Sequence, residues 1–277
     1  MEDYTSLKAS WRLIQLSLKE LLLRTDTEVW QIEDDDPVIW KHPLRDDEHC
    51  LVIRNITDER TEFLSNLTLV AGVDVSYDTT ESNKANVAVV IVRIPDLKPL
   101  YKNCRPVTLT QPYVPGFLAF REVDCIVESM SKLQVSNPEL YPQVVLVDGN
   151  GTLHPERFGM ACHLGVLLDV PCIGVGKNLY CTDGLLRDEN HQLQIAAMQD
   201  KGDFFLLYAS DGEEILGAAL KSAKDSTKPV YVSIGHRCSL MTALRVVHMC
   251  SKFRVPEPIR LADIYSRECL RSMGQTC

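Results

Sequence analysis

The stretch "LTLVAGVDVSY", residues 67–77, and its successor "ANVAVVIVRI", residues 85–94, decide the fold. Both are rich in valine and isoleucine, which is typical of buried β-strands. A third stretch, "PLYKNCRPVTL" at residues 99–109, also has a strand pattern, and short polar links join the three. Because short links favour antiparallel neighbours, the sequence predicts a three-strand antiparallel meander.

Strand and helix patterns alternate after the meander. The strand patterns lie at residues 142–148, 170–176, 203–209, 214–221 and 228–236. The helical patterns lie at residues 117–133, 158–169, 240–252 and 259–273. Apolar residues of the first of these helices fall on one face, as in a helix that packs on a sheet. This order predicts an α/β fold in which one mixed sheet, a meander followed by parallel βα units, is flanked by helices.

The N-terminal part differs from the rest in charge. The 277-residue chain has a net charge of −9, and residues 1–62 hold 15 acidic and 8 basic residues, a net of −7. Apolar residues at helical spacing over residues 4–23 predict an amphipathic helix. We therefore predict an acidic N-terminal helix and connection over residues 1–62, packed on a main domain over residues 63–277.

Composition argues against a membrane or secreted protein. No apolar run is long enough to span a bilayer, and the acidic, periodic N-terminus does not have the pattern of a signal peptide. The 10 cysteines are expected to be reduced thiols. Cys162, His163 and Cys172 lack paired CxxC spacing, so no zinc site is predicted. We expect an intracellular monomer with no membrane partner, located in the cytoplasm, the nucleus or the nucleolus.

Two aspartates occupy positions where carboxylates are costly. Asp74 lies within a predicted buried strand between Val73 and Val75, and Asp148 ends the next apolar strand before a glycine-containing loop. A carboxylate in a core strand is unfavourable unless it is paired or binds a metal ion. A structural hydrogen bond at Asp74 and an ordinary Asp-Gly turn at Asp148 are the alternatives.

Two further side chains can reach the same region. Glu122 borders the sheet-facing side of the helix at residues 117–133, and His236 ends the strand at residues 228–236. A surface glutamate and a structural histidine are the ordinary interpretations. Carboxylates that converge with a histidine can hold Mg²⁺, which activates water in phosphodiester hydrolysis. The set therefore predicts a metal-dependent nuclease.

Five ordered motifs carry a family resemblance. They are "GVDVSY", "PYVPGFLAFRE", "VVLVDGNGTLHPERFGMACHLGV", "PCIGVGKNL" and "VSIGHRCSL". Together they closely resemble the endonuclease V family of inosine-directed nucleases, over about residues 69–271. The resemblance implies an RNase H-like fold, which agrees with the predicted order of strands and helices.

The resemblance also implies roles for individual residues. Asp74, Asp148 and Glu122 would bind the metal ion, and His236 would be a fourth active-site residue. Lys177, in "GVGKNL", would lie near the scissile phosphate, with a solvated loop lysine as the alternative. Many relatives have "VAKK" at this place, so Asn178 removes a second lysine from the site.

The segment "PYVP" resembles the family's wedge, whose tyrosine fills the space left by a displaced base. Extruding a base costs a few kcal/mol, least at a weak pair. The wedge residues would be Pro112, Tyr113, Val114 and Pro115. The pocket for flipped hypoxanthine would be formed by Gly116, Leu118, Gly149, Asn150, Gly151 and Leu153. Without the resemblance, the segment is a proline-rich loop.

A basic set near the C-terminus offers a further surface. Its members are Lys252, Arg254, Arg260, Arg267 and Arg271. They form either a phosphate-contacting stripe or a merely solvated face.

The resemblance implies a Mg²⁺-dependent endonuclease, with Mn²⁺ as a substitute. It would hydrolyse the second phosphodiester bond 3′ to inosine and leave 3′-hydroxyl and 5′-phosphate ends. We favour single-stranded, inosine-containing RNA over deoxyinosine-containing DNA because the chain is closer to the animal relatives. The alternatives are a deoxyinosine-directed DNA repair nuclease, a structure-specific RNase H-like nuclease and a non-catalytic inosine reader.

Overall fold

The computed structural model describes residues 4–28, 54–56 and 66–274, with side chains described through residue 272. The strands are β1 (Arg54–Asn55), β2 (Leu69–Tyr77), β3 (Lys84–Arg93), β4 (Lys98–Thr108), β5 (Val144–Val147), β6 (Cys172–Gly176), β7 (Asp203–Tyr208), β8 (Ile215–Leu220) and β9 (Val230–His236). The α-helices are α1 (Thr5–Lys19), α2 (Ala119–Ser136), α3 (Met160–Leu168), α4 (Glu189–Ala197), α5 (Leu240–Met249) and α6 (Glu257–Gly274).

The strands form one mixed sheet in the order β1-β7-β8-β9-β6-β5-β2-β3-β4. The predicted meander is confirmed, because β2, β3 and β4 pair antiparallel. β2, β5 and β6 are parallel neighbours. The parallel arrangement stops there, since β9 pairs antiparallel with β6 and β8, and β7 antiparallel with β8. No helix connects β7 to β8 or β8 to β9, and parallel neighbours need such a crossover.

Helices cover both faces of the sheet. Side chains of α5 and α6 join one apolar cluster with Val70 of β2, whereas α2 and α3 join another with Ala71 and Val73. Successive residues of a strand point to opposite faces. Asp74 therefore points to the α6 side, opposite its valine neighbours, as predicted.

Helix α6 lies unusually close to β2. A Cβ atom added at Gly72 would be 2.1 Å from the carbonyl carbon of Pro258, so only glycine is compatible with this approach. Two residues later β2 reaches Asp74, and α6 continues along the strand to Ser266. The glycine thus sets the distance at which α6 presents its side chains to the polar end of β2.

The predicted N-terminal helix is confirmed as α1, whose Trp11 and Gln15 are buried. The proposed domain boundary at residues 62 and 63 lies outside the described residues. Two elements were not predicted: β1, which pairs with β7, and α4, whose apolar residues lack a clear helical stripe. None of the helices in the described ranges has the length and apolar character that crossing a bilayer requires.

Candidate active site

Asp74 is held by two hydroxyl groups. Its Oδ2 accepts hydrogen bonds from Ser266 Oγ at 2.6 Å and from Ser76 Oγ at 3.0 Å. Burial raises the pKa of Asp74 and outweighs the two hydroxyls, while the charges of Asp148 and Asp263 raise it further. Asp74 is therefore a fixed carboxylate with other acids close by.

Glu122 lies in the first turn of α2 and is buried. Its Oε1 accepts a hydrogen bond from the Tyr77 hydroxyl. Burial raises the pKa of Glu122 to about 7, and the charges of Asp74 and Asp148 contribute to the rise. Near neutral pH this group can therefore exchange a proton, as a general acid or base must.

Asp148 and Lys177 follow the neighbouring parallel strands β5 and β6, so they emerge side by side. Lys177 Nζ lies 2.5 Å from Asp148 Oδ2. Arg254 donates hydrogen bonds to the backbone oxygens of Lys177 and Pro229, which fixes the start of the lysine-bearing loop. The structure thus places the ammonium group of Lys177 beside one of the predicted acids, Asp148.

The carboxylates of Asp74, Glu122 and Asp148 form an oxygen-only donor set of the kind that hard cations prefer. Asp148 raises the pKa of both Asp74 and Glu122, so the group carries a repulsion that a cation would relieve. Each carboxylate is bonded to a different internal donor, and no three His, Cys, Asp or Glu side chains in the described ranges form a ready ligand set. The donor chemistry of these residues therefore fits a hard metal ion.

Asp263 on α6 belongs to the same acidic group and was missed from the sequence. It raises the pKa of Asp74 and forms an ion pair of 2.7 Å with Arg267. It lies one residue after the buried Ala262 and three before Ser266, on the side of α6 that faces β2. The sequence signal that could have identified Asp263 is its position as an acid beside the apolar stripe of the last helix.

His236 does not join this group, and the prediction that it shares the site is wrong. Because β9 runs antiparallel to β6, His236 lies opposite Cys172 at the start of β6. Lys177 follows the other end of β6, which is about 13 Å away along a four-residue rise. His236 is buried, its Nδ1 accepts a hydrogen bond of 3.3 Å from the Leu23 N–H, and burial lowers its pKa.

The wedge loop, residues 112–118, presents an exposed ring on a fixed backbone. Tyr113 is 62% exposed, whereas Val114 is buried. The Phe117 N–H donates to the Val114 carbonyl, and Arg121 Nη1 donates to the Gln111 carbonyl at 2.6 Å. The tyrosine is therefore free to contact a ligand while its loop is anchored at both ends.

The pocket loop, residues 149–153, lies over β9 and the start of α3. The Gly151 N–H donates to Ser233 Oγ at 2.9 Å, and the Asn150 carbonyl accepts from the Ala161 N–H at 3.1 Å. The Leu153 side chain is fully buried, so it supports the loop from beneath, as Val114 supports the wedge loop. Asn150 Oδ1 is buried without a hydrogen-bond partner in the described part of the chain.

Most of the basic side chains near the C-terminus form ion pairs or hydrogen bonds with other groups of the protein. Arg260 pairs with Glu257 at 2.7 Å, and Lys252 Nζ donates to the Asp96 carbonyl at 3.1 Å. Together with the bonds of Arg254 and the Arg267 ion pair, these contacts favour a structural role over a continuous phosphate-contacting stripe.

Comparison with known proteins identifies relatives over nearly the whole chain. A family model described as Endonuclease V matches residues 53–264. Endonuclease V of Mus musculus is 46% identical over 266 residues, which cover 96% of this chain and 70% of the relative. Endonuclease V of Homo sapiens is 43% identical over 95% of this chain and 84% of the relative.

Solved structures agree with the fold. A crystal structure of human endonuclease V has a TM-score of 0.82 at 42% identity, and the match covers 96% of this chain and 99% of that chain. The Ciona intestinalis endonuclease V, crystallised with a DNA containing an inosine followed by a ribo-adenosine, has a TM-score of 0.79 at 32% identity. That match covers 97% of this chain and 99% of the other. The similarity confirms the predicted RNase H-like fold.

Proposed function

The chain belongs to the endonuclease V family of nucleases, and from that premise we propose that it is a metal-dependent endonuclease that cuts inosine-containing RNA. The observation that carries the proposal is the group of neighbouring acids formed by Asp74, the buried Glu122 and Asp148, with the Lys177 amine beside it. A protein that only reads inosine has no need of mutually repelling carboxylates, which cost stability in the folded state.

Asp74, Asp148, Glu122 and Asp263 are the residues that would hold the ion. When bound, Mg²⁺ or its substitute Mn²⁺ would activate a water molecule and stabilise the leaving oxygen. The raised pKa values of Asp74 and Glu122 support this assignment, since a nearby cation favours their ionised forms.

The chain's own residues contribute orientation and charge. Ser76 and Ser266 hold the Asp74 carboxylate, and Tyr77 holds Glu122. Glu122, whose pKa is about 7 before an ion binds, would be ionised by the ion that it helps to hold. The proton of the attacking water would pass to solvent, from which the leaving 3′ oxygen would take one up. The water oxygen bonds to phosphorus as the bond to the 3′ oxygen breaks, which leaves 3′-hydroxyl and 5′-phosphate ends. Lys177 would neutralise a phosphate oxygen of the substrate.

Base selection is assigned to the two loops beside the acids. Tyr113 would fill the gap left by a displaced base, and the backbone of residues 149–151 would contact the hypoxanthine. Cleavage would then fall at the second phosphodiester bond 3′ to the inosine. The Ciona intestinalis relative has been crystallised with inosine-containing DNA, which supports inosine as the target of this chain as well.

RNA is the proposed substrate, preferably single-stranded. In the complexes of the Ciona intestinalis relative a ribo-adenosine follows the inosine. This supports a 2′-hydroxyl on the 3′ side of the inosine as the feature that separates RNA from DNA. A deoxyinosine-directed DNA repair nuclease is the second candidate, and the same complexes favour it through their DNA strands.

The test uses four matched single strands, which combine ribose or deoxyribose with one inosine or one adenosine. Each is incubated with the full-length protein and Mg²⁺, with an excess of EDTA as the control. We expect cleavage of the inosine RNA above all, at the second bond beyond inosine, and none with EDTA. Cleavage that ignores inosine would refute the proposal, and equal cleavage of both sugars would favour the second candidate.

A further inference from the structure

One aromatic residue of helix α1, Trp11, packs into the domain. Trp11 is 5% exposed, whereas Leu13 on the same helix is 68% exposed. The Trp11 ring stacks on Phe120 with centroids 5.0 Å apart and an interplanar angle of 9°, and it lies 5.8 Å from the Phe117 ring. The helix therefore meets the domain where the wedge loop enters α2.

The two phenylalanines connect this contact to the functional loops. Phe117 belongs to the wedge loop, and its N–H donates to the Val114 carbonyl, which closes the turn of residues 114–117 directly after Tyr113. Phe120 lies in the first turn of α2, two residues before Glu122. Trp11 thus packs on the segment that joins the exposed tyrosine to a buried acid.

A second row of contacts attaches α1 to the segment after the pocket loop. Gln15 Nε2 donates to the Phe158 carbonyl at 2.8 Å, and Lys19 Nζ donates to the Glu156 carbonyl at 2.8 Å. His163 of α3 joins the two rows, with its ring 4.9 Å from Phe120 and 5.8 Å from Phe158. One helix therefore contacts both the wedge loop and the segment that follows the pocket loop.

We propose that α1 is a positioning element for base recognition, in which Trp11 fixes the wedge loop through Phe117 and Phe120. The inference rests on the proposed function, which assigns Tyr113 to the place of a displaced base. Trp11 contacts none of the acids that the site contains, so its effect falls on substrate binding and not on bond cleavage. A loop held in its binding conformation loses less entropy when the substrate binds.

The kinetic test compares three variants on the inosine strand that the wild-type protein cuts. Trp11→Leu removes the rings and keeps an apolar side chain, Trp11→Phe keeps a ring, and Leu13→Ala is the control on the exposed side of α1. An aromatic contact is worth about 1 kcal/mol, so KM should rise about fivefold in Trp11→Leu with kcat unchanged. Trp11→Phe should recover most of the loss. A fall in kcat at unchanged KM would overturn the proposal.

Hydrogen exchange of the full-length protein gives a readout that does not depend on cleavage. Peptides that cover residues 112–118 should exchange faster in Trp11→Leu than in the wild type, Trp11→Phe or Leu13→Ala, while β2 and β5 should be unchanged. Unaltered exchange in the wedge loop would overturn the proposal. If the wild type ignores inosine, the proposed function fails, and faster exchange still establishes that Trp11 fixes the loop.

Substitution of a buried tryptophan can also unfold the chain. In that case Phe117→Leu cuts the same ring contact from the loop side and leaves α1 in place. It must then reproduce the rise in KM at unchanged kcat, and a KM equal to that of the wild type would refute the role of the contact.

Discussion

Polar residues at the two ends of the central strands are used in opposite ways. At the carboxyl ends of β5 and β6, Asp148 and Lys177 remain partly exposed beside Asp74, and the acids repel one another. At the amino ends of the same strands, His236 is buried and accepts a hydrogen bond from the Leu23 backbone. At the carboxyl ends the charged groups can still interact with a ligand. At the amino ends the polar groups already form hydrogen bonds within the chain.

Strand direction produces this difference. β2, β5 and β6 run parallel, so the residues that follow them meet at one end of the sheet. β9 runs the other way, so the residue at its carboxyl end meets the N-terminal segment. There the Asp26 carboxylate accepts hydrogen bonds from the Ser239 N–H and the Thr242 hydroxyl, which completes the start of α5. The comparison predicts that substitutions at the carboxyl ends of β5 and β6 reduce catalysis. Substitutions at the amino ends of these strands should instead reduce the stability of the fold.

The largest effect is expected at Asp148. Asp148→Asn keeps the size of the side chain but removes its charge, and cleavage of the inosine strand should fall on the order of a thousandfold or more. Binding of the uncut strand should be retained, because the wedge and pocket loops are unchanged. Single-turnover cleavage and a gel-shift titration measure the two properties. Normal turnover would contradict a role for this carboxylate in the site.

A smaller effect is expected at Ser266, whose buried hydroxyl donates a hydrogen bond to Asp74. Loss of a group that orients a metal ligand costs about 10- to 100-fold in metal affinity. Ser266→Ala should therefore need more Mg²⁺ for half-maximal cleavage and bind Mn²⁺ more weakly in calorimetry. Ser266→Thr keeps the hydroxyl and serves as the control. Equal metal affinity in Ser266→Ala and the wild type would show that Ser266 does not orient Asp74 for metal binding.

Tyr113→Ala should reduce cleavage of base-paired inosine substrates by about tenfold, since stacking of one base on an aromatic ring is worth about 1–3 kcal/mol. Cleavage of single strands should change less, because no neighbouring base pair has to be opened. Parallel kinetics on a duplex and on its isolated inosine strand measure the ratio. Equal losses on both substrates would argue against a wedge.

The smallest effect on cleavage is expected at His236. His236→Asn should lower the unfolding free energy by about 1 kcal/mol at pH 7, through the altered hydrogen bond, and leave kcat of the folded protein unchanged. A large fall in kcat without loss of stability would return His236 to the active site.

The stability difference between the wild type and His236→Asn should depend on pH. Burial lowers the folded-state pKa of His236 below its ordinary value of 6.5. The stabilisation is therefore complete above that value and is lost as pH falls through the folded-state pKa. Denaturant unfolding at pH 7.5 and at lower pH should show the difference shrinking. A constant difference would indicate that His236 is not the titrating group.

The sequence was informative where local pattern determines position. Asp74 and Asp148 stand out in the sequence because carboxylates in apolar strands are unusual, and the helical stripe around Glu122 indicates the sheet-facing side; the structure places the three side chains near one another. His236 was misplaced because the end of a strand looks the same whichever way the strand runs. The helix-free connection from β8 to β9, residues 221–229, was the sign of its reversal.

Other features depended on contacts between distant parts of the chain. Asp263 lies 189 positions after Asp74, and only the close approach of α6 at Gly72 brings the two acids together. The attachment of α1 depends on Trp11 meeting Phe120, more than 100 positions away. Helical spacing predicted an amphipathic α1, but it could not indicate that Trp11 packs beside the wedge loop.

The most direct test of the account is Mn²⁺ binding, measured by calorimetry on the wild type, Asp148→Asn and His236→Asn. If the metal binds at the carboxyl ends of the parallel strands, the wild type and His236→Asn bind with equal affinity and Asp148→Asn loses most of its binding. Retained binding in Asp148→Asn together with its loss in folded His236→Asn would contradict the account.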